Sequence, residues 1–256
     1  MRIAITGSKG QLGTALLARL DGEDLLPLDL PEFDVNDVAQ VRSTLGDFRP
    51  DVVIHAAALT NVDQCELEPE LAYRVNALGT QNVALACRRC GASMVYVSTD
   101  YVFDGSKGAP YVEYDPPAPL SVYGRSKLAG EWATQTFVGG FYIARTAWLY
   151  APGRRNFVDT VLRLARERGA LTMVTDEVGS PTYAPDLADA IARLLPSEQY
   201  GIYHFTNSGV GSRYEWACEI LRLAGLEHVP VTPSQGYDRP APVPRRVELA
   251  NLCGAS

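Results

Sequence analysis

Cysteine and histidine are scarce in this chain, and their placement excludes several kinds of site. The five cysteines are an odd number at irregular spacing, which argues against a disulfide framework. Cys87 and Cys90 form one C-x-x-C pair in a helical stretch, but no second pair accompanies them, so we interpret the spacing as coincidence. The three histidines lie far apart in the sequence. We therefore predict no metal site.

Long apolar runs and basic blocks are also missing. No run approaches the roughly 18–20 apolar residues that a membrane-spanning helix needs. The N-terminus enters a strand and a turn without the long apolar region of a signal peptide. The net charge of -7 argues against a nucleic-acid-binding protein, which usually has a basic balance. We expect a cytoplasmic protein with no membrane or nucleic-acid partner, and we leave a homodimer open.

The sequence does contain a regular alternation of short β-rich runs and helical segments. This alternation predicts βαβ units and a parallel sheet. We predict an α/β fold: a Rossmann-type doubly wound parallel sheet with a smaller C-terminal substrate-binding lobe. Residues 1–150 would form the dinucleotide-binding domain. Residues 151–256 would form mainly the lobe, with some elements returning to the main sheet.

The hydrophobic pattern places the elements as follows. The predicted strands are Arg2–Thr6, Asp24–Leu28, Val52–His55, Ser93–Ser98, Gly140–Thr146, Leu171–Val174 and Ile202–Phe205. The predicted helices are Gln11–Leu20, Asn36–Phe48, one or two helices within Glu66–Arg89, Val122–Phe137, Phe157–Arg168, Ala184–Leu195 and Arg213–Ala224. The tail from Pro230 has several prolines and little periodicity, and we assign no element to it.

A glycine-rich turn follows the first strand and opens the first helix. It reads Thr6-Gly7-Ser8-Lys9-Gly10-Gln11-Leu12-Gly13. Small residues let the backbone approach a pyrophosphate, and the helix N-terminus presents free N–H groups to it. An acidic residue is expected about 20 positions later, to hold the adenosine ribose, and Asp29 lies 19 residues after Gly10. The turn therefore predicts a dinucleotide site, and a glycine-rich turn without a function is the alternative.

The choice of cofactor stays open between NADPH and NADH. Asp29 favours NADH, because a carboxylate repels a 2′-phosphate. Lys9 favours NADPH, because a cation in the turn can pair with that phosphate.

Further cofactor contacts are predicted after the second and third strands. Asp34 and Val35 follow the second strand and are candidates for the adenine end, although Asp34 equally suits a helix N-terminus. Ala56, Ala57 and Ala58 follow the third strand, where small side chains leave room for a cofactor. Alanines at a strand end are also ordinary packing.

Tyr123 and Lys127 are the candidate proton donor and its partner. In a helix they lie one turn apart on the same face. A phenol titrates near pH 10, and a neighbouring ammonium lowers that pKa, so the pair can act as a general acid or base at neutral pH. Thr99 ends another strand, and its hydroxyl can hold a carbonyl oxygen while Tyr123 donates the proton. The alternatives are an ordinary helix face for the pair and a strand-end cap for Thr99.

Together, the glycine turn, Thr99 and the Tyr123/Lys127 pair resemble the extended short-chain dehydrogenases/reductases. More narrowly, Ser-Thr-Asp-Tyr-Val-Phe-Asp-Gly (98–105), Tyr-Gly-Arg-Ser-Lys-Leu-Ala-Gly-Glu (123–131) and Arg-Thr-Ala-Trp-Leu-Tyr (145–150) are similar to the dTDP-4-dehydrorhamnose reductase family. The segments 60–66 and 178–183 share this similarity. The resemblance runs from residue 1 to about residue 250.

The resemblance implies a reaction and a role for each matching residue. A hydride would pass from reduced nicotinamide to C4 of a dTDP-linked 4-keto-6-deoxy sugar, giving dTDP-L-rhamnose. Tyr123 would be the general acid, Lys127 would hold the nicotinamide ribose, and Thr99 would bind the keto oxygen. Thr99 and Tyr123 therefore also count as substrate-binding residues, and Tyr123 and Lys127 as cofactor-binding ones. Asp100 and Trp148 would contact the sugar, although core packing is the alternative for Trp148.

Further candidates concern the nucleotide side of the substrate. The resemblance suggests Asn156 there. Arg239, Arg245 and Arg246 would supply positive charge for a diphosphate, or would simply be solvated side chains.

Other functions stay open beside the reductase. One is a different nucleotide-sugar 4-ketoreductase or an epimerase, which recycles its cofactor instead of consuming it. Dehydratases of the same superfamily place an Asp-Glu pair after the catalytic threonine, but here Asp100 is followed by Tyr101. The third alternative is a non-catalytic cofactor-binding regulatory subunit, which would not need Thr99, Tyr123 and Lys127.

Overall fold

The computed structural model describes residues 1–253, and its elements follow the alternation of the sequence. The strands are β1 (Arg2–Thr6), β2 (Asp24–Leu28), β3 (Val52–His55), β4 (Ser93–Thr99), β5 (Phe141–Thr146), β6 (Leu149–Tyr150), β7 (Leu171–Val174), β8 (Val178–Gly179), β9 (Thr182–Tyr183), β10 (Gly201–His204), β11 (Gly211–Ser212) and β12 (Val231–Ser234). The α-helices are α1 (Gln11–Arg19), α2 (Val38–Phe48), α3 (Val62–Leu67), α4 (Pro69–Tyr73), α5 (Thr80–Cys90), α6 (Val122–Phe137), α7 (Phe157–Arg168), α8 (Ala184–Leu194) and α9 (Arg213–Leu223). A π-helical segment (Arg74–Gly79) joins α4 to α5, and short 3-10 turns cover Asp100–Val102 and Leu195–Ser197.

Six parallel strands form the main sheet in the order β2-β1-β3-β4-β5-β10. The chain places β2 on one side of β1 and then crosses to the other side for β3. In open parallel sheets, ligands bind at the carboxyl ends of the strands where the winding direction changes. Thr6 pairs with His55 in register, so the glycine turn and the Ala56–Ala58 segment leave the sheet side by side.

Helices cover both faces of the sheet, and each face has its own apolar cluster. β3 is buried along its whole length, and its side chains alternate between the two faces. Val53 belongs to the cluster that contains Leu45 of α2 and residues of α5. Ile54 belongs to the opposite cluster, with Leu16 of α1 and Leu187 of α8. This doubly wound arrangement confirms the predicted fold class.

Residues after 150 contribute both to the main sheet and to a separate cluster. The separate cluster joins α7, β7 and α9, and it includes Val161, Leu171 and Ala217. By contrast, α8 packs on α1 and β10 pairs with β5. No helix within residues 1–253 is long and apolar enough to cross a membrane. The division at residue 150 stays a prediction.

Side-chain caps set two helix starts that the periodicity misplaces. α2 begins at Val38, not at Asn36, because the carboxylate of Asp37 accepts a hydrogen bond from the backbone N–H of Gln40 at 3.0 Å. The helical region predicted from Glu66 begins earlier, with α3, behind the Asn61 cap.

The tail after Pro230 contains a strand, β12, although its sequence pattern predicts no element there. β12 pairs with β7 in parallel, from Val231 opposite Leu171 to Ser234 opposite Val174. This edge pair contains Pro233, which removes one backbone donor and weakens the sequence signal for a strand.

Candidate active site

A cavity of about 670 Å³ lies along the carboxyl ends of β1, β3, β4 and β5. The predicted site residues that line it are Gly7, Lys9, Gly10, Gln11, Leu12, Gly13, Asp29, Asp34, Val35, Ala56, Ala57, Ala58, Thr99, Asp100, Tyr123, Lys127 and Trp148. The structure thus brings the glycine turn and the Tyr/Lys/Thr group into one space. No cluster of three or more His, Cys, Asp or Glu side chains that could hold a metal ion occurs within residues 1–253.

The glycine turn has room for backbone but not for side chains. Gly7 has φ +70°, and a Cβ added to it would lie 2.7 Å from the backbone nitrogen of Ala57. A Cβ on Gly13 would lie 2.2 Å from the carbonyl oxygen of Gly7. The turn therefore closes tightly over the start of α1, whose first residues line the cavity, and a helix N-terminus is where a pyrophosphate binds.

The end of β2 braces the same turn. One carboxylate oxygen of Asp29 accepts a hydrogen bond from the backbone N–H of Lys9 at 2.7 Å, and the other accepts from Leu30 at 2.8 Å. The Lys9 ammonium donates to Glu32 at 2.6 Å and to the Leu30 carbonyl at 2.8 Å. A cation and a carboxylate thus lie together at the predicted ribose end, and this geometry suits either cofactor.

Ser8 and Asn156 lie outside the cavity lining, as do the three tail arginines described below. Ser8 is buried, and its backbone N–H donates to the carbonyl of Leu28 at 3.3 Å. Asn156 caps α7 by accepting a hydrogen bond from the backbone N–H of Asp159 at 3.2 Å, and its amide donates to the Ala151 carbonyl at 2.6 Å. The structure gives both residues a local structural role, and their ligand contacts stay predictions.

A close approach of α6 to the end of β4 brings Tyr123 to Thr99. Ser121 caps α6 by accepting a hydrogen bond from the backbone N–H of Gly124 at 3.1 Å. A Cβ on Gly124 would lie 2.2 Å from the carbonyl oxygen of Tyr101, so only glycine permits this contact. The Thr99 hydroxyl is consequently close enough to the Tyr123 phenol to act on its pKa.

The expected lowering of the Tyr123 pKa is wrong. Burial raises the pKa of this phenol, and the Thr99 hydrogen bond only partly opposes that effect. The Lys127 ammonium donates instead to the Val97 carbonyl at 2.7 Å and lies 4.1 Å from the centroid of the Tyr96 ring. Tyr123 is therefore held in its protonated form, which is the form that donates a proton.

Burial also shifts the charged groups beside Tyr123. It lowers the pKa of Lys127 to about 7, against the opposing influence of Glu131. It raises the pKa of Asp100 to about 6, although the Thr99 hydroxyl, which donates to Asp100 at 2.9 Å, and Arg213 oppose the shift. Both groups can change charge close to neutral pH, as acid–base chemistry requires.

Thr146 and Arg213 line the cavity as well, and neither is among the residues predicted from the sequence. Thr146 ends β5 opposite Thr99, and its buried hydroxyl has no hydrogen-bond partner among the described residues. The strand register would have identified it, because both threonines end neighbouring strands. Arg213 comes from α9, far along the chain, and no local motif marks it.

Trp148 forms part of the cavity wall. Its backbone has φ +46°, and its ring stacks on Trp216 at 5.6 Å between centroids. The guanidinium carbon of Arg213 lies 3.6 Å from the centroid of the Trp148 ring. The indole is thus partly packed and partly presented to the cavity, and its contact with the sugar stays a prediction.

The three tail arginines differ in their surroundings. Arg239 is largely buried, and it pairs with Asp63 at 2.9 Å. Arg246 is half exposed and lies 3.5 Å from Glu248. Arg245 is exposed. Solvation therefore describes Arg245 and Arg246 but not Arg239.

A glycine turn at the switch point of a doubly wound sheet, with threonine, tyrosine and lysine in the same cavity, defines a Rossmann-type protein built for a nucleotide cofactor. The protein-family model for the RmlD substrate binding domain matches residues 1–252, and the chain belongs to this family.

Several relatives are similar over nearly the whole chain. The dTDP-4-dehydrorhamnose reductase of Streptomyces griseus is 42% identical over 95% of this chain and 84% of its own length. The crystal structure of dTDP-4-dehydrorhamnose reductase from Bacillus anthracis in complex with NADP has a TM-score of 0.95 and 40% identity, covering 98% of this chain and 90% of that one. A UDP-glucose 4-epimerase from Thermus thermophilus, in complex with NAD, has a TM-score of 0.87 and 26% identity, covering 99% and 92%.

Proposed function

We propose that the protein catalyses the NADPH-dependent reduction of the C4 keto group of dTDP-4-dehydro-β-L-rhamnose, giving dTDP-L-rhamnose for deoxysugar biosynthesis. The convergence of Thr99, Tyr123 and Lys127 in the cavity that the glycine turn opens is the observation that carries the proposal. The reductase names of the relatives and the NADP complex of one of them support this substrate and this cofactor.

The residues present fit a dinucleotide. The Gly7–Gly13 turn and the N-terminus of α1 would hold the pyrophosphate. Asp29 and Lys9 lie where the adenosine ribose would bind, and Lys127 would hold the nicotinamide ribose. Bound NADPH supplies the hydride that reduces the sugar carbonyl.

Tyr123 protonates the oxygen on which negative charge develops. Its raised pKa keeps the phenol protonated at neutral pH, so the proton is in place before the reaction. Thr99 contributes a second hydrogen bond when its hydroxyl turns from Asp100 toward the sugar oxygen. Two hydrogen-bond donors at this oxygen stabilise the developing charge more strongly than water does.

Lys127 balances the charge that Tyr123 leaves behind. Burial lowers its pKa to about 7. A negatively charged cofactor and a forming phenolate both favour the ammonium form, so Lys127 would be fully charged when the proton moves.

An epimerase is the second candidate, because the Thermus thermophilus epimerase shares the fold at 26% identity. An epimerase regenerates its cofactor in every cycle, whereas a reductase consumes one reduced nicotinamide for each sugar. Another 4-ketoreductase would show the same consumption with a different sugar, and a regulatory subunit would show none.

The experiment mixes purified protein with dTDP-4-dehydro-β-L-rhamnose and with NADPH or NADH in turn. We expect a stoichiometric loss of the reduced-nicotinamide absorbance and the appearance of dTDP-L-rhamnose, identified by chromatography and NMR. Turnover of the sugar without loss of reduced cofactor would refute the reductase and favour the epimerase. Binding of cofactor without any turnover would favour the regulatory subunit.

We also propose that residues 151–256 mainly bind the substrate, and that the protein works in the cytoplasm as a homodimer. Trp132 of α6 and Leu78 of the π-helical segment are more than half exposed, and a second copy would cover such apolar side chains. Sedimentation velocity would detect a species of twice the 27.8 kDa chain mass. A single species at the chain mass would refute the dimer.

A further inference from the structure

The part of the cavity next to Trp148 contains a buried guanidinium. Among the described residues that line the cavity, the cations are Lys9, Lys127 and Arg213. Lys9 lies at the adenosine end and Lys127 behind Tyr123. Arg213 is therefore the cation at the Trp148 wall, where the sugar would bind.

Contacts from several elements fix Arg213 in place. It begins α9, and its backbone N–H donates to the Glu177 carbonyl at 3.1 Å. Its Nε lies 3.6 Å from a carboxylate oxygen of Glu177, in a pair whose side chains are only 19% and 13% exposed. The guanidinium carbon lies 3.6 Å from the ring centroid of Trp148 and 5.0 Å from that of Phe157. The guanidinium thus has an ionic partner and an aromatic face on which it stacks.

The backbone of Trp148 has a strained conformation. Its φ of +46° lies in the left-handed region, which bulky residues rarely adopt. Strained conformations of this kind persist only where the surroundings over-determine them. Gly179 supplies one such constraint, since a Cβ there would lie 2.8 Å from Cε2 of the indole. Trp216 supplies the stack, and Arg213 supplies the cation on the ring face.

We propose that Arg213, held by Glu177, is a positioning residue that fixes the Trp148 indole as the wall against which the sugar is placed. The inference rests on the proposed function, because it assigns the sugar to this end of the cavity. With the indole fixed, the keto group is presented to Thr99 and Tyr123 in a single orientation, and misplacement by an ångström costs much of the rate. The cofactor end of the cavity does not depend on Arg213.

The test compares Arg213→Met and Arg213→Lys with a matched control, Arg222→Met. Arg222 belongs to the same helix, is about half exposed and pairs with Glu219. For Arg213→Met, we expect kcat/KM for the sugar to fall roughly 10- to 30-fold, equivalent to about 1.4–2 kcal/mol, while the KM for NADPH changes less than about twofold. Arg213→Lys should recover part of this loss, because an ammonium still attracts the ring face. Arg222→Met should match the wild type.

A readout that needs no turnover separates this inference from the proposed function. Loss of the guanidinium should shift the tryptophan fluorescence emission in Arg213→Met but not in Arg222→Met, because Trp148 loses its stacked cation. Wild-type protein that does not reduce the dTDP-sugar refutes the proposed function, whatever the fluorescence shows.

Two results overturn the positioning role. One is an Arg213→Met enzyme whose sugar kinetics match those of Arg222→Met. The other is an equal loss of sugar and NADPH binding, which would mean that Arg213 only supports the fold. If Arg213→Met does not fold, Arg213→Lys provides the test, because it keeps the charge beside Glu177. Its kcat/KM for the sugar should still fall while its KM for NADPH stays nearly unchanged.

Discussion

Replacing Tyr123 with phenylalanine removes the proposed proton and leaves the ring in place. Tyr123 is 9% exposed, and its ring packs edge-on against Tyr101 at 5.5 Å between centroids. Phenylalanine fills nearly the same volume, so the helix and its contacts should persist. The lost phenol oxygen leaves Thr99 with Asp100, to which it already donates at 2.9 Å.

Tyr123→Phe should lower the reaction rate far more than it lowers the stability of the fold. Stability should fall by about 0.5–1.5 kcal/mol, the net value of one hydrogen bond. The rate should fall by much more, because a positioned general acid contributes about 10²–10⁴-fold, equivalent to roughly 2.7–5.4 kcal/mol. Affinity for NADPH should change little, since the glycine turn and Asp29 are untouched.

The assay measures kcat at saturating sugar, the dissociation constant of NADPH, and the free energy of unfolding in urea. Tyr111→Phe is the matched control: Tyr111 is buried, its hydroxyl donates to Asp104 at 2.8 Å, and it lies outside the cavity lining. This variant should lose similar stability and no activity. A Tyr123→Phe enzyme that keeps kcat within about threefold of the wild type would refute the reasoning, because the proton would then come from another group.

Three further perturbations test other parts of the cavity. Lys127 has a pKa of about 7 when folded and about 10.4 when unfolded, so the unfolded chain takes up a proton between these values and the stability of the cofactor-free wild type should rise with pH there. From pH 7 to pH 9, the free energy of urea unfolding of the wild type should rise by on the order of 2 kcal/mol relative to that of Lys127→Met. A difference between the two proteins that does not change with pH would contradict the lowered pKa of Lys127. Gly13→Ala should reduce NADPH affinity at least about tenfold in calorimetric titration and lower stability by about 1–3 kcal/mol. The reason is that its Cβ would lie 2.2 Å from the Gly7 carbonyl oxygen. The control Gly22→Ala, with open space around its Cβ, should change neither the affinity nor the stability. Lys9→Met should lower kcat/KM for NADPH about tenfold with little change for NADH, since one exposed charge-assisted contact to the 2′-phosphate is lost; an equal loss for both cofactors would mean that Lys9 only braces the turn.

Much of the cavity was predictable because its residues lie in local motifs at strand ends. β1 and β3 have the predicted bounds, since short apolar runs flanked by polar turns mark buried strands. α6 also has the predicted bounds, with Ser121 as its cap. Because the strands are parallel, motifs that are far apart in the sequence emerge at one edge of the sheet. The amino-acid sequence alone therefore indicates that Thr99 and Tyr123 lie close together.

The remaining features depend on contacts between distant segments. Arg213 reaches the cavity only because α9 packs beside Glu177 and Trp148, and no sequence period reports this. The pKa of Tyr123 was predicted in the wrong direction because spacing reveals a neighbouring ammonium but not the extent of burial. The predicted contact of Asn156 with the nucleotide side of the substrate rests on resemblance, whereas the observed capping bond depends on local geometry.

The placement of β10 limits how this chain can be recombined with its relatives. β10 is formed by residues 201–204, yet it covers the outer edge of β5, and α8 just before it lies against α1. A chimaera joined once near residue 150 would replace that outer strand and helix together with the lobe, and any mismatch would leave an unpaired edge prone to aggregation. Transfer of sugar preference should therefore use two separate inserts, one spanning β6 to β9 and one spanning β11 to β12, with the native α8 and β10 kept between them.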